Sequence, residues 1–387
     1  MYSEEDINSA VAAGALSAES AAAFRSHMSA VRDMPRGDEE NFRLINSFND
    51  IFVAIGVVIM LFAAGAIGQA IGTALMSVAE IDWATATEAQ WRAYQDMAMT
   101  RDFMGVGIGG LLVAPVAWGL AEFFTRRRRM ALPSILLLLG FVAACFGTVF
   151  GIGMSVTGWF DNERLGPVLF ALAALVAAGG TFLHWRRFMV PITVATGAAA
   201  VAATVIGLIM AAIGTDSIED PEEIVLSLIF VAGLAIFAFA MRWDISDRER
   251  TTRRSDVAFW LHLLAAPMIA HPIFALIGVT DGDSIGIAAA VGVLAVYVGF
   301  GLLALAIDRR ALLVSALAYV LIALTYLFDE FGAVELGVAL TALIIGSALL
   351  TLSAFWSPIR KQVVGMLPQD LRNRLPLTED AVLAVAA

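Results

Sequence analysis

Gln69, His262, His271 and Glu335 are polar side chains set inside apolar runs, where an ionisable or amide group is costly and marks a candidate site. Gln69 falls in the outer part of the first run, His271 in the outer part of the seventh and Glu335 just inside the outer end of the last. Pro272 follows His271 and removes a backbone donor, which loosens the helix there. Together these three form a candidate cluster facing an outer cavity, able to bind a proton or a small polar solute. The plainer alternative is interhelical hydrogen bonding, with Glu335 reaching the lipid headgroups. His262 lies about two turns into the seventh run, at a depth similar to His184 in the fourth. Two such imidazoles can ligate a haem axially, but no second pair or supporting shell accompanies them. No cofactor and no catalytic residue is expected. With one cysteine, Cys145, the chain forms neither an intrachain disulfide nor a thiolate metal cluster, and no metal is expected. The only lysine, Lys361, lies beyond the last run, which rules out a Schiff base within the spans.

The elements that must position these residues are membrane-spanning helices. Hydrophobic residues make up 60% of the 387, charged residues 15%, and mean hydropathy is +0.82, well above a soluble domain. The apolar runs are about 20 residues long, enough to cross a bilayer core of about 30 Å. An all-α polytopic membrane bundle of about ten helices follows, with spans near 51–76, 103–123, 133–157, 165–184, 189–213, 223–242, 257–278, 284–307, 311–328 and 333–355. Three units result: residues 1–50, a cytoplasmic helical hairpin with an amphipathic lead-in; 51–355, the bundle; and 356–387, a cytoplasmic amphipathic tail.

Basic residues set the orientation. Placing the N-terminus inside puts 21 of the 24 Lys and Arg residues on the inner side, leaving only Arg92, Arg101 and Arg164 outside. Both termini are then cytoplasmic. The outer face carries a net charge of −14 and the inner face +3, so the acidic pI belongs mostly to the outer mouth, which could concentrate cations. Three arginine turns, Phe124 to Pro133, Trp185 to Pro191 and Asp308 to Leu313, each join two spans and suggest repeated hairpins. Inverted five-span halves are an alternative organisation.

Local signals fill in the ends. Gly14 and Ser17 form the turn of the N-terminal hairpin, and Ser3 with Asp6 resembles a capping box. Thr87 and Gln90 fit a second capping box, opening a short helix in the outer interface. The Gly68/Gly72, Gly105/Gly109 and Gly147/Gly151 pairs permit close helix approach. Ser357 and Pro358 open a tail helix whose Ile359, Val363, Met366 and Leu367 should rest on the inner leaflet.

The opening stretch INSAVAAGALSAESAAAFRSHM, with its Gly14-Ala15-Leu16-Ser17-Ala18-Glu19 turn, and the ending FWSPIRKQVVGMLPQDLRNRLP resemble a group of bacterial multi-pass membrane proteins. These are classed under a domain of unknown function and begin with a short helical hairpin. The resemblance implies a bacterial inner (cytoplasmic) membrane protein and supplies no activity. Three readings stay open: a small-solute or ion transporter; a non-catalytic scaffold, assembly factor or sensor that binds a protein partner through residues 1–50; and, third, a membrane enzyme or redox protein. The lipid bilayer is a partner under all three, and no nucleic acid is expected.

Overall fold

The computed structural model describes residues 4–33, 48–78, 81–82, 84–158, 164–214, 220–250, 252–278, 286–330 and 337–377. Glu335, Ser3 and the lead-in of residues 38–47 lie outside them. The described residues are helical, with no strand among them. A spanning helix meets every backbone polar group within itself, which lipid requires. Two short helices, α1 (Glu4–Ala12) and α2 (Ala18–Asp33), come first. Gly14 adopts φ +69°, and the Ala15 and Gly14 amides donate to the Ala10 and Val11 carbonyls, a Schellman stop. Ser17 then caps α2 by accepting from the Ser20 amide at 3.0 Å. The expected hairpin turn is present residue for residue.

The bundle follows as α3 (Phe48–Leu75), α4 (Glu88–Ala121), α5 (Ala131–Thr157), α6 (Leu165–Phe188), α7 (Ile192–Ile213), α8 (Pro221–Ser246), α9 (Arg253–Leu276), α10 (Ile287–Ile307), α11 (Ala311–Glu330) and α12 (Gly337–Ala354). Among the described residues nine helices are long and apolar enough to cross a membrane. The apolar stretch of α11, Leu312–Phe328, is shorter. The chain is a multi-pass helical membrane bundle. In α9, 56% of the apolar window is buried against 17–33% in the other eight, so α9 is the central helix.

The segment 88–102 is not a separate interfacial helix. The Thr87–Gln90 capping box forms as expected, but the helix it opens runs without a break into the second span. Nothing at residues 99–103 supplies a helix breaker, so the hydrogen-bond ladder continues. It ends in a π-helical turn, Glu122–Arg127.

Glycines set how α3, α4 and α5 meet. A Cβ on Gly68 would lie 2.2 Å from the Gly109 Cα, and one on Gly72 2.5 Å from the Gly105 Cα. The two glycine pairs therefore face one another, and the α3 and α4 backbones touch. The opposite face of α4 does the same to α5: a Cβ on Gly151 would lie 2.5 Å from the Gly107 nitrogen.

Four turns at the arginine-rich end of the bundle, the end expected to be inner, each hold a non-glycine residue in the left-handed region: Arg129 (φ 55°), Met189 (52°), Arg250 (55°) and Asp308 (58°). At the opposite end α5, α7 and α9 are followed by glycines of positive φ, Gly158 (76°), Gly214 (80°) and Gly278 (80°), while α3 is not. The three arginine turns thus share a backbone conformation as well as a composition.

Beyond α12, α13 (Trp356–Met366) and α14 (Gln369–Arg372) close the described chain. Ile359, Val363 and Leu367 of the expected apolar face do pack inward, but Met366 is 83% exposed, and the most deeply buried residues are Trp356, Arg360 and Val364. The tail helix docks into the bundle's inner end because those residues find partners there.

Candidate functional site

The inner ends of α8, α9, α10 and α11 enclose a set of charged side chains shielded from solvent. Asp244 is two residues short of the α8 C-terminus and 1% exposed. Its Oδ1 accepts from Arg309 Nη2 at 2.6 Å, and its Oδ2 pairs with His262 Nε2 at 2.8 Å. Arg309 stands in the turn between α10 and α11 and is itself 2% exposed. Its Nη2 also donates to the Ser255 carbonyl at 3.2 Å, tying the start of α9 to that turn. A carboxylate only accepts, so His262 carries a proton on Nε2, and in the neutral ring Nδ1 is then a lone pair. That Nδ1 is buried and has no hydrogen-bond partner among the described residues. Phe237 of α8 stands edge-on to the ring at 5.2 Å.

Asp308, one residue earlier, forms a second centre. Arg250 Nη1 donates to its Oδ2 at 2.7 Å, and the Trp356 indole N–H to its Oδ1 at 2.7 Å. Arg360 Nε lies 3.6 Å from Oδ1. Arg250 Nη2 also donates to the Ile307 and Asp308 carbonyls, which holds the left-handed turn at Asp308 in place. Burial lowers the Arg250 pKa, Arg309 adding to this while Asp308 and Asp244 oppose it. An arginine starts so high that the side chain stays a cation.

Further contacts extend both centres. Asp247 Oδ2 accepts from the Thr252 amide and hydroxyl at 3.0 and 2.7 Å, shaping the α8–α9 turn. Arg360 donates to the Pro376 and Leu377 carbonyls at 2.8 and 3.2 Å. Arg248 Nε donates to the Leu375 carbonyl at 2.8 Å, strapping residues 375–377 to the same end. Arg310 covers the Trp356 ring at 4.7 Å. Asp244 and Asp308 face Arg309, Arg250 and Arg360, so each buried carboxylate has at least one guanidinium beside it. An unpaired charge in this low-dielectric setting would be costly, and pairing is what lets these groups be buried.

Of the residues expected to form an outer cluster, Glu335 lies outside the described residues, and Gln69 and His271 each have a different partner. Gln69 on α3 packs against Gly105, and its Nε2 lies 3.5 Å from Asp102 Oδ1 on α4. His271 on α9 bonds through Nδ1 to the Tyr319 hydroxyl of α11 at 2.5 Å. No hydrogen bond joins Gln69 to His271 among the described residues. His262 belongs to the inner junction. His184 lies among Trp118, Phe141 and Phe188, whereas His262 packs against Phe237, and neither ring nitrogen of His184 has a partner among the described residues. No group of three or more metal-ligating side chains occurs among the described residues.

In the sequence Arg250, Arg309 and Arg360 are three of the 21 basic residues that set the orientation, and no local motif sets Asp244 or Asp308 apart. One signal could have found them: carboxylates set next to spans within otherwise basic segments. Chemically, the junction can pin five helix ends together, release them when a carboxylate or the imidazole changes protonation, and offer one vacant acceptor, His262 Nδ1. Comparison of the chain with models of known protein families, with curated proteins and with solved structures finds no match.

Proposed function

We propose that the protein passes a small solute or ion across the cytoplasmic membrane of a bacterium, and that the Asp244–Asp308 junction is its closed inner gate. The carrying observation is the burial itself: Asp244, Asp308, Arg309 and Arg360 are held under 10% exposure where α8, α9, α10, α11 and the tail helix meet. Replacing such groups by apolar ones often costs nothing or stabilises, so their retention favours an element that must switch between two arrangements. Basic residues on the segments between spans support cytoplasmic placement of this end and of both termini. The acidic outer face would gather cations at the opposite mouth.

The test is ion leak in proteoliposomes, read with trapped pyranine under a potassium gradient with valinomycin. Asp308→Asn removes the charge that holds Arg250 and Arg360, and should raise proton leak several-fold above wild type. Leak equal to that of empty liposomes for both proteins would reject the gate.

A second reading, a scaffold, assembly factor or sensor, is favoured by the α1–α2 hairpin, where Phe24 stands 41% exposed. Deleting residues 1–36 would then release a stoichiometric protein partner, whereas a permease would keep its flux.

A further inference from the structure

The lipid-facing side of α6 carries a second site that the inner junction does not use. Its outward residues recur at helical spacing, Leu172, Leu175, Val176, Gly179, Phe182 and Arg186, all exposed. Along this stripe runs a groove of about 520 Å³, lined by Phe141 and Cys145 of α5 and by Val176, Gly179, Gly180 and Phe182 of α6. Ligand pockets of about 300–1,000 Å³ hold molecules of lipid-chain size. Two glycines make the groove. A Cβ on Gly180 would come 3.1 Å from the Cys145 sulfur, so its absence lets α5 close in as the floor. A Cβ on Gly179 would meet nothing within 4 Å, so its absence leaves the opening.

The groove has a charged end. The Arg186 guanidinium stands 5.9 Å from the Phe182 ring centroid, one turn beyond the lining. The adjacent Arg187 is neutralised by Glu122 through bonds of 2.6 and 2.9 Å. Arg186 has no carboxylate partner among the described residues. From Val176 to Arg186 is about 15 Å along the helix, half of a bilayer core of about 30 Å. An open apolar groove about 10 Å long, from Val176 to Leu183, with an arginine one turn beyond it that has no carboxylate partner among the described residues, matches one occupant by charge and length.

We infer that the α5–α6 groove is a binding site for a single anionic phospholipid, its acyl chain over Gly179–Gly180 and its phosphate on Arg186. The probe is phosphatidylglycerol carrying a diazirine in its acyl chain. It is reconstituted with the full chain in phosphatidylcholine vesicles, irradiated and mapped by peptide mass spectrometry. Adducts are expected on segments 141–145 and 176–183, displaced about fivefold better by unlabelled phosphatidylglycerol than by phosphatidylcholine, as one surface arginine provides. Arg186→Gln, at an exposed site, should equalise the two competitors. Gly179→Leu fills the opening without a clash and should abolish adducts there while leaving those on α3. Adducts no denser here than on α3, equal competition in the wild type, or unchanged behaviour of either variant would each overturn the site.

Discussion

Asp244→Asn isolates what the inner junction contributes to stability. The substitution keeps the shape of the side chain and removes its charge. Arg309, 2% exposed, then loses the negative charge that its Nη2 approaches at 2.6 Å. The amide can still accept from one of Arg309 and His262, but its NH2 group must then face the other donor. Removing one member of a buried ion pair costs about 3–5 kcal/mol, against about 0–1 kcal/mol for an exposed pair. The assay is reversible unfolding in mixed micelles of mild detergent and SDS, followed by tryptophan fluorescence. Arg309→Met alone should be similarly costly, since it strands the Asp244 carboxylate. The double variant Asp244→Leu/Arg309→Met removes both charges and should recover most of the loss, with a coupling energy of at least about 2 kcal/mol. Two small and additive single effects would refute the claim that these charges are buried and paired.

Two further outcomes follow from the backbone. Gly68→Ala drives a Cβ against the Gly109 backbone and should destabilise by about 1–3 kcal/mol, while Gly56→Ala, which meets nothing within 4 Å, should be neutral or better in the same unfolding assay. Equal effects would mean that α3 and α4 do not touch. Met189→Gly relieves a left-handed turn at a side chain 49% exposed and should stabilise by about 1 kcal/mol in thermal unfolding; a loss would show that the Met189 side chain matters more than its φ.

The spans were legible because lipid demands long apolar helices, and composition alone reveals those. The hairpin turn at Gly14–Ser17 and the Thr87 cap were legible because they depend on neighbours within a few residues. The three glycine pairs announced close packing, though not that Gly68 and Gly72 meet Gly109 and Gly105. The site was different. Asp244, His262, Arg309 and Asp308 are brought together from three parts of the chain, and all but His262, which its depth singles out, look locally like ordinary residues at a membrane border. His271 and Gln69 stood out by their depth, yet each is satisfied by a single neighbour, Tyr319 or Asp102. The break expected near residue 100 failed because polarity marks where a helix leaves the bilayer, not where it ends.

The junction also has a history set by the order of synthesis. Asp308 and Arg250 leave the ribosome well before Trp356 and Arg360, and the carbonyls of residues 375–377 later still. At about 5–20 residues per second, Asp308 waits several seconds for its second and third partners. During that wait the inner ends of α8 to α11 hold an incomplete set of charges, hydrated and open. A product truncated before Trp356 would keep the Asp308 bond to Arg250 and lack the indole and guanidinium that complete that centre.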